Sequence, residues 1–140
     1  MAFEHRLRVR FHEIDRAGIV YFARIFEYCH VAYEDMLCQA LGMDMEQYFK
    51  TTTWGMPLVH AEADYERPNF LGEYLNIRLE VARLGQRSVT FAYELSGDDG
   101  RRAKVSLTHA FVELASFEPI TCPEAFRAGL AKLSLLPAQA

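Results

Sequence analysis

The sequence predicts an α+β fold in which a five-stranded antiparallel sheet lies against one long helix. Three observations predict it. A single helical period of ~20 residues follows a first strand-like segment. Four more strand-like segments then come in succession, which favours antiparallel neighbours. The connections between them are short and carry turn residues.

The first strand is Phe3 to Phe11, where Phe3, Leu7, Val9 and Phe11 alternate with Glu4, Arg6, Arg8 and Arg10. Period two marks a half-buried strand. A polar stretch from His12 to Gly18 reads as a loop. From about Phe22 the period lengthens. Phe22, Ile25, Phe26, Cys29, Ala32, Tyr33, Met36, Leu37 and Ala40 form one helical stripe, and Gly42 supplies a stop. Residues 42–55 show no clean period, and Trp54 has no assigned place. Pro57 to Arg67 alternates again, followed by a turn region from Pro68 to Gly72. Leu75 to Val81 and Val89 to Leu95 alternate on either side of a turn near Gly85. Gly97-Asp98-Asp99-Gly100 is a hairpin signal. The last strand, Arg102 to Leu114, has apolar residues on both parities, as in a central or bulged strand. A short helix is expected from Pro123 to Leu133, with Ser134 to Ala140 fraying. No repeat or linker interrupts the chain, so residues 1–140 read as one domain.

A formal net charge of -4 argues against general nucleic-acid binding, which needs a basic face. No run approaches the ~20 apolar residues of a membrane span. Met1 to Arg6 lacks the apolar core of a signal peptide. Cys29, Cys38 and Cys122 are odd in number and match no zinc or redox spacing, which suits buried thiols in a reducing compartment. The expectation is a cytoplasmic protein with neither metal nor cofactor.

The chemistry concentrates in Asp15-Arg16-Ala17-Gly18-Ile19-Val20-Tyr21-Phe22. A carboxylate here precedes a helix N-terminus, whose free N–H groups and dipole stabilise negative charge. Acyl transfer needs a nucleophile or base together with donors for an oxyanion, and one turn of chain could supply both. Gly18 lets backbone approach a ligand closely. Spacing alone favours the plainer reading, in which Asp15 caps the helix and Gly18 makes a turn.

This stretch, preceded by Val9-Arg10-Phe11-His12-Glu13-Ile14, resembles the active-site signature of the 4-hydroxybenzoyl-CoA thioesterase family. The resemblance implies the hotdog fold, a sheet wrapped around a central helix, and hydrolysis of an acyl-CoA thioester. It implies that Asp15 is the catalytic carboxylate, attacking the carbonyl or activating water. It further implies that Gly18 shapes the loop and that the Phe22 backbone N–H polarises the thioester oxygen. Active sites of this family form between subunits, which implies a homodimer or homotetramer. Relatives acting on short aliphatic or carrier-linked acyl groups often carry histidine where this chain has Phe22, so an aromatic acyl group is implied instead. Leu58-Val59-His60-Ala61 points the same way, resembling the 1,4-dihydroxy-2-naphthoyl-CoA thioesterase branch. A hotdog hydratase or dehydratase, or a non-catalytic acyl-binding module, is the alternative.

Further candidates are Tyr21 as a wall of the acyl pocket and His60 as a substrate-binding or interface residue. Arg83 and Arg87 flank the Gly85 turn, and Arg101, Arg102 and Lys104 follow the later hairpin; of these cations Arg87 is the candidate for the phosphates of coenzyme A. His12 and Glu13 are placed to tune Asp15. His30 and Glu34 read as a helix-surface pair.

Overall fold

The computed structural model describes residues 1–138. In chain order the elements are β1 (Phe3–Arg8), a 3-10 turn (Phe11–Glu13), α1 (Arg24–Leu41), α2 (Met45–Thr51), β2 (Trp54–Gly55), β3 (Leu58–Tyr65), β4 (Tyr74–Leu84), β5 (Ser88–Gly97), β6 (Gly100–Ala110), β7 (Val112–Glu113) and α3 (Glu124–Lys132). Five strands form an antiparallel sheet in the order β1-β4-β5-β6-β3, while β2 and β7 pair separately.

Alternation decides which face of the sheet receives α1. Leu75, Ile77, Leu79 and Val81 of β4, and Val89, Phe91, Tyr93 and Leu95 of β5, are buried. Against them α1 sets Ile25, Cys29, Ala32, Met36, Leu37 and Ala40. Each large aliphatic side chain so placed contributes roughly 2 kcal/mol. Helix α1 ends where Gly42 takes a left-handed φ of 67°, its N–H donating to the Cys38 carbonyl. Helix α3 packs on the C-terminal part of α1, where Gly129 meets the Ala40 carbonyl so closely that a β-carbon would collide.

Several expected boundaries move. The first strand stops at Arg8 rather than Phe11, because the Glu13 carboxylate accepts the Arg10 N–H at 2.7 Å and draws the chain into the 3-10 turn. Phe11 is left exposed. The helix begins at Arg24, not Phe22. Extended pairing of the Tyr21 N–H with the Glu13 carbonyl must finish before the chain can coil. Phe22 is therefore exposed, and Tyr28 joins the core in its place. Residues 42–55 contain α2, whose Asp44 cap accepts the Gln47 N–H, and Trp54 is held between Tyr48 and Phe126. The expected last strand divides into β6 and β7. Leu135 is buried, with its N–H on the Leu130 carbonyl, so the segment from Ser134 is packed rather than frayed; residues 139–140 lie outside the described range.

Strand β3 ends the sheet and is exposed at every position except the half-buried Ala63. Ala61, Ala63 and Tyr65 share the face of α1, while His60, Glu62 and Asp64 take the other, opposite Thr108, Ser106 and Lys104.

Candidate active site at the head of the long helix

The segment from Glu13 to Tyr21 folds back on itself. Ile14 bridges Val20, the Asp15 N–H donates to the Ile19 carbonyl, and the Gly18 N–H donates to the Asp15 carbonyl. Closing so tight a loop needs a left-handed residue, and Gly18 has φ 83° with open space around its α-carbon. Asp15 sits half-buried at the tip, with Oδ1 accepting the Ala17 N–H at 2.8 Å. The hairpin is tied twice to the connection between β3 and β4: Val20 N–H donates to the Asn69 carbonyl, and Ile19 bridges Phe70.

The returning arm delivers Tyr21 and Phe22 to the start of α1. Among the described residues the amide N–H groups of Phe22 and Ala23 find no acceptor, while the carbonyls of both flanking peptides are engaged. Tyr21 O accepts from Arg24, and Phe22 O accepts from Tyr65 and Ile25. Two adjacent free donors at a helix N-terminus are suited to an anionic oxygen. Tyr21 and Phe22 pack ring against ring with centroids 4.8 Å apart. Asp15, Gly18, Tyr21 and Phe22 thus belong to one small ladder.

The other sequence candidates fall elsewhere. Glu13 accepts the Tyr28 hydroxyl at 2.8 Å and the Arg10 amide, and so braces the hairpin without touching Asp15. His12 lies 3.9 Å from Glu13 on the exposed side. His60 stands on the sheet face opposite α1, 3.7 Å from Glu62, and is not brought to Asp15 within one copy. Arg87 is exposed in the β4–β5 turn; beside that turn, Arg83 and Arg127 line a cavity of about 920 Å³ with Gly85 and Thr121. Arg102 is not a phosphate ligand but a buried clamp, bound to Glu73, Asp99, Asn69 and the Pro68 carbonyl. Arg101 is paired with Glu66.

An apolar groove of about 970 Å³ runs beside α1, lined by Phe26, His30, Tyr33, Trp54, Met56, Leu58 and His109. His109 is buried and stacks on Tyr33 at 4.9 Å. Its Nδ1 contacts the Met56 carbonyl at 2.8 Å; a carbonyl only accepts, so Nδ1 carries the hydrogen and Nε2, without a partner, holds the lone pair. Burial pushes this imidazole below its ordinary pKa and favours the neutral ring. Among the described residues no group of three or more His, Cys, Asp or Glu side chains is arranged for a metal ion, and no helix is long and apolar enough to cross a membrane.

A model of the thioesterase-like superfamily matches residues 9–130, the stretch that carries the hairpin, the central helix and the sheet. The chain belongs to the thioesterase-like superfamily. A 1,4-dihydroxy-2-naphthoyl-CoA hydrolase of Nostoc punctiforme is 34% identical over 116 residues, 83% of this chain and 78% of that protein. The protein of the same name from Synechococcus elongatus is 35% identical, covering 83% of this chain and 85% of its own. Among solved structures, a 1,4-dihydroxy-2-naphthoyl-CoA thioesterase from Synechocystis has a TM-score of 0.84 at 23% identity, covering 98% of this chain and all of its own. A Staphylococcus aureus protein in complex with CoA has a TM-score of 0.85 at 14% identity, covering 99% of this chain and 87% of its own. These likenesses give this superfamily member the hotdog architecture expected from its sequence.

Two residues at this member's site went unread in its sequence. Tyr65 and His109 both lie on inward-facing parities, where alternation marks them simply as core. Tyr65 instead donates its hydroxyl to the Phe22 carbonyl at 2.7 Å, a partner 43 residues away.

Proposed function

We propose that this acyl-CoA thioester hydrolase cleaves an aromatic acyl-CoA at a site built from the Asp15 hairpin and the head of α1. The observation that carries the reading is the pair of free amides at Phe22 and Ala23 beside a hairpin that presents a carboxylate. As the thioester carbonyl becomes tetrahedral its oxygen gains charge, and the Phe22 N–H receives it. Asp15 either adds to the carbonyl carbon, giving an anhydride that water then opens, or takes a proton from an attacking water. In both courses the C–S bond breaks and coenzyme A leaves as the thiol. The groove lined by Phe26, Tyr33 and Trp54, and the names of the relatives from Nostoc and Synechococcus, support an aromatic acyl group.

A homodimer through β3 supports the same site. Leu58, His109, Val89 and Leu84 mark one end of the sheet, and Tyr65, Ala103, Leu95 and Ile77 the other. The Asp15 hairpin lies at the second end and the Arg83–Arg87 turn at the first, ~23 Å away along β4 at ~3.3 Å per residue. One acyl-CoA therefore meets acid and cations most simply if two copies run antiparallel. Pairing β3 with β3 sets the Leu58 end of each copy, with its groove and basic turn, against the Tyr65 end of the other. Unpaired strand edges favour such addition. Gly18 shapes the hairpin, Tyr21 walls the acyl group, and Arg87 with Arg83 and Arg127 receives the coenzyme phosphates from the second copy. His60 belongs to the seam of the two sheets rather than to the acyl group.

Thiol release from benzoyl-, 4-hydroxybenzoyl-, 1,4-dihydroxy-2-naphthoyl-, short-chain and long-chain acyl-CoA tests the reading, with Asp15→Asn in parallel. Turnover of an aromatic ester that falls at least ~100-fold in the variant supports it. Full activity of Asp15→Asn would defeat the mechanism, and turnover confined to aliphatic esters would defeat the aromatic assignment.

A further inference from the structure

We propose that Tyr65 is a positioning residue for the oxyanion donors, acting through the Phe22–Ala23 peptide; this rests on the reading of the site just given. Tyr65 is the last residue of β3, on the sheet edge, and it reaches the turn ahead of α1 in two ways. Its hydroxyl donates to the Phe22 carbonyl at 2.7 Å. Its ring meets the Phe22 ring edge-on, with centroids 6.4 Å apart and planes at 80°.

The Phe22 carbonyl has otherwise only a long contact, 3.4 Å, from the Ile25 N–H. Phe22 and Ala23 precede the first residue of α1, and the Phe26 N–H bonds the Ala23 carbonyl, which lies in the next peptide, so the plane of the peptide they share is fixed mainly by the tyrosine. The Phe22 carbonyl and the Ala23 N–H belong to the same peptide group. A hydrogen bond to the oxygen polarises that N–H and makes it a stronger donor. The preceding Phe22 N–H lies in the Tyr21–Phe22 peptide, whose carbonyl accepts the Arg24 N–H at 2.9 Å, so anchoring the next plane through Tyr65 sets the angle between the two adjacent donors. Oxyanion donors act through preorganisation, and a donor free to rotate loses most of its effect.

The arrangement joins the sheet edge to the chemistry. Tyr65 remains 48% exposed in the single copy, and a second copy on β3 would order the strand that carries it. The hydroxyl is thus the physical connection between pairing of the edge and alignment of the amides.

Tyr65→Phe keeps the ring and deletes the hydroxyl. Expected is a fall in kcat of about tenfold, the size of one net hydrogen bond acting in the transition state, with KM for the aromatic acyl-CoA changed less than twofold. The decisive readout is the carbonyl stretch of the bound thioester, recorded by infrared difference spectroscopy in the slow Asp15→Asn background. Binding should lower that frequency in Asp15→Asn and lower it less in Asp15→Asn/Tyr65→Phe. Should Tyr65→Phe perturb folding, 3-fluorotyrosine at position 65, a stronger donor of nearly the same shape, should lower the frequency further. An unchanged kcat, or an unmoved carbonyl frequency with kcat and KM altered together, overturns the proposal and leaves Tyr65 a scaffold residue. Full turnover by Asp15→Asn is a separate result: it removes the catalytic reading itself, and this proposal with it.

Discussion

Replacing Arg102 by methionine should cost this protein about 3 kcal/mol while leaving the fold recognisable. The guanidinium is almost fully enclosed and forms two hydrogen bonds to the Glu73 carboxylate, at 3.0 and 2.8 Å. It also donates to the Pro68 carbonyl at 2.9 Å and to Asn69 Oδ1 at 3.2 Å. Breaking a buried pair costs ~3–5 kcal/mol when the survivor is left dry. Here Glu73 is 31% exposed and can rehydrate, which brings its share to ~1 kcal/mol. Asn69 is 4% exposed, and stranding it with the Pro68 carbonyl adds ~1 kcal/mol each. Asp99 already faces water and adds nothing. For a chain of this length the sum lowers Tm by about 10 °C. Thermal and urea unfolding of native protein and Arg102→Met would measure it, with an unchanged m-value showing that the unfolded state is the same. The difference should also depend on pH. Arg102 holds the Glu73 carboxyl below its ordinary range, so the pair stabilises above that range and is lost as pH falls through the folded-state value. The gap between the two proteins should narrow in acid by the Glu73 share, about a third of the whole, because the Asn69 and Pro68 contributions do not titrate. A Tm loss under about 3 °C, or a difference that persists unchanged at low pH, would refute this account of the clamp.

His109→Phe keeps a ring against Tyr33 and removes a buried base held below ~6.5. The unfolded chain takes up a proton there first, so native stability should decline as pH falls from 7 to 5; the variant's urea midpoint should decline less. Gly129→Ala forces a methyl onto the Ala40 backbone and should cost ~1–3 kcal/mol by parting α1 and α3. Gly18→Ala meets no atom, so only left-handed strain of ~1–2 kcal/mol applies; thiol release in that variant, against its urea midpoint, would show whether the hairpin tolerates the strain. Dilution of the native protein in analytical ultracentrifugation should reveal a dimer, and Ala63→Pro, which also deletes the amide of the residue's half-buried position on β3, should shift it to monomer.

Much of this architecture is visible in the sequence because burial is periodic. The stripe from Ile25 to Ala40 reads correctly since one helix buries it against one sheet face. Phe22 falls in phase with that stripe, but period does not register that Tyr21 is still pairing with Glu13 and that coiling must wait. Residues 45–51 showed no stripe because α2 has no fully buried residue. Arg102 falls with Lys104, Ser106 and Thr108 on the polar parity of its strand, so alternation marks it as solvent-facing, whereas its acids enclose it through partners far along the chain that hydropathy does not register. At the site, Asp15 and Gly18 were legible as local chain chemistry. Tyr65 and His109 were not, since what distinguishes them from core aromatics is a partner far away in sequence, the Phe22 carbonyl for one and the Met56 carbonyl for the other.

The bare edge at β3 has an outer row of His60, Glu62 and Asp64. Two copies can share a sheet only in registers that keep inner residues opposite inner ones. The register centred on Ala61 sets the lone base, His60, opposite Glu62 of the other copy. Any foreign strand carrying its own acids would instead be repelled by Glu62 and Asp64. The strand is in this sense self-selecting: it leaves its backbone open to addition while its charge row narrows what can be added to its own sequence run backwards.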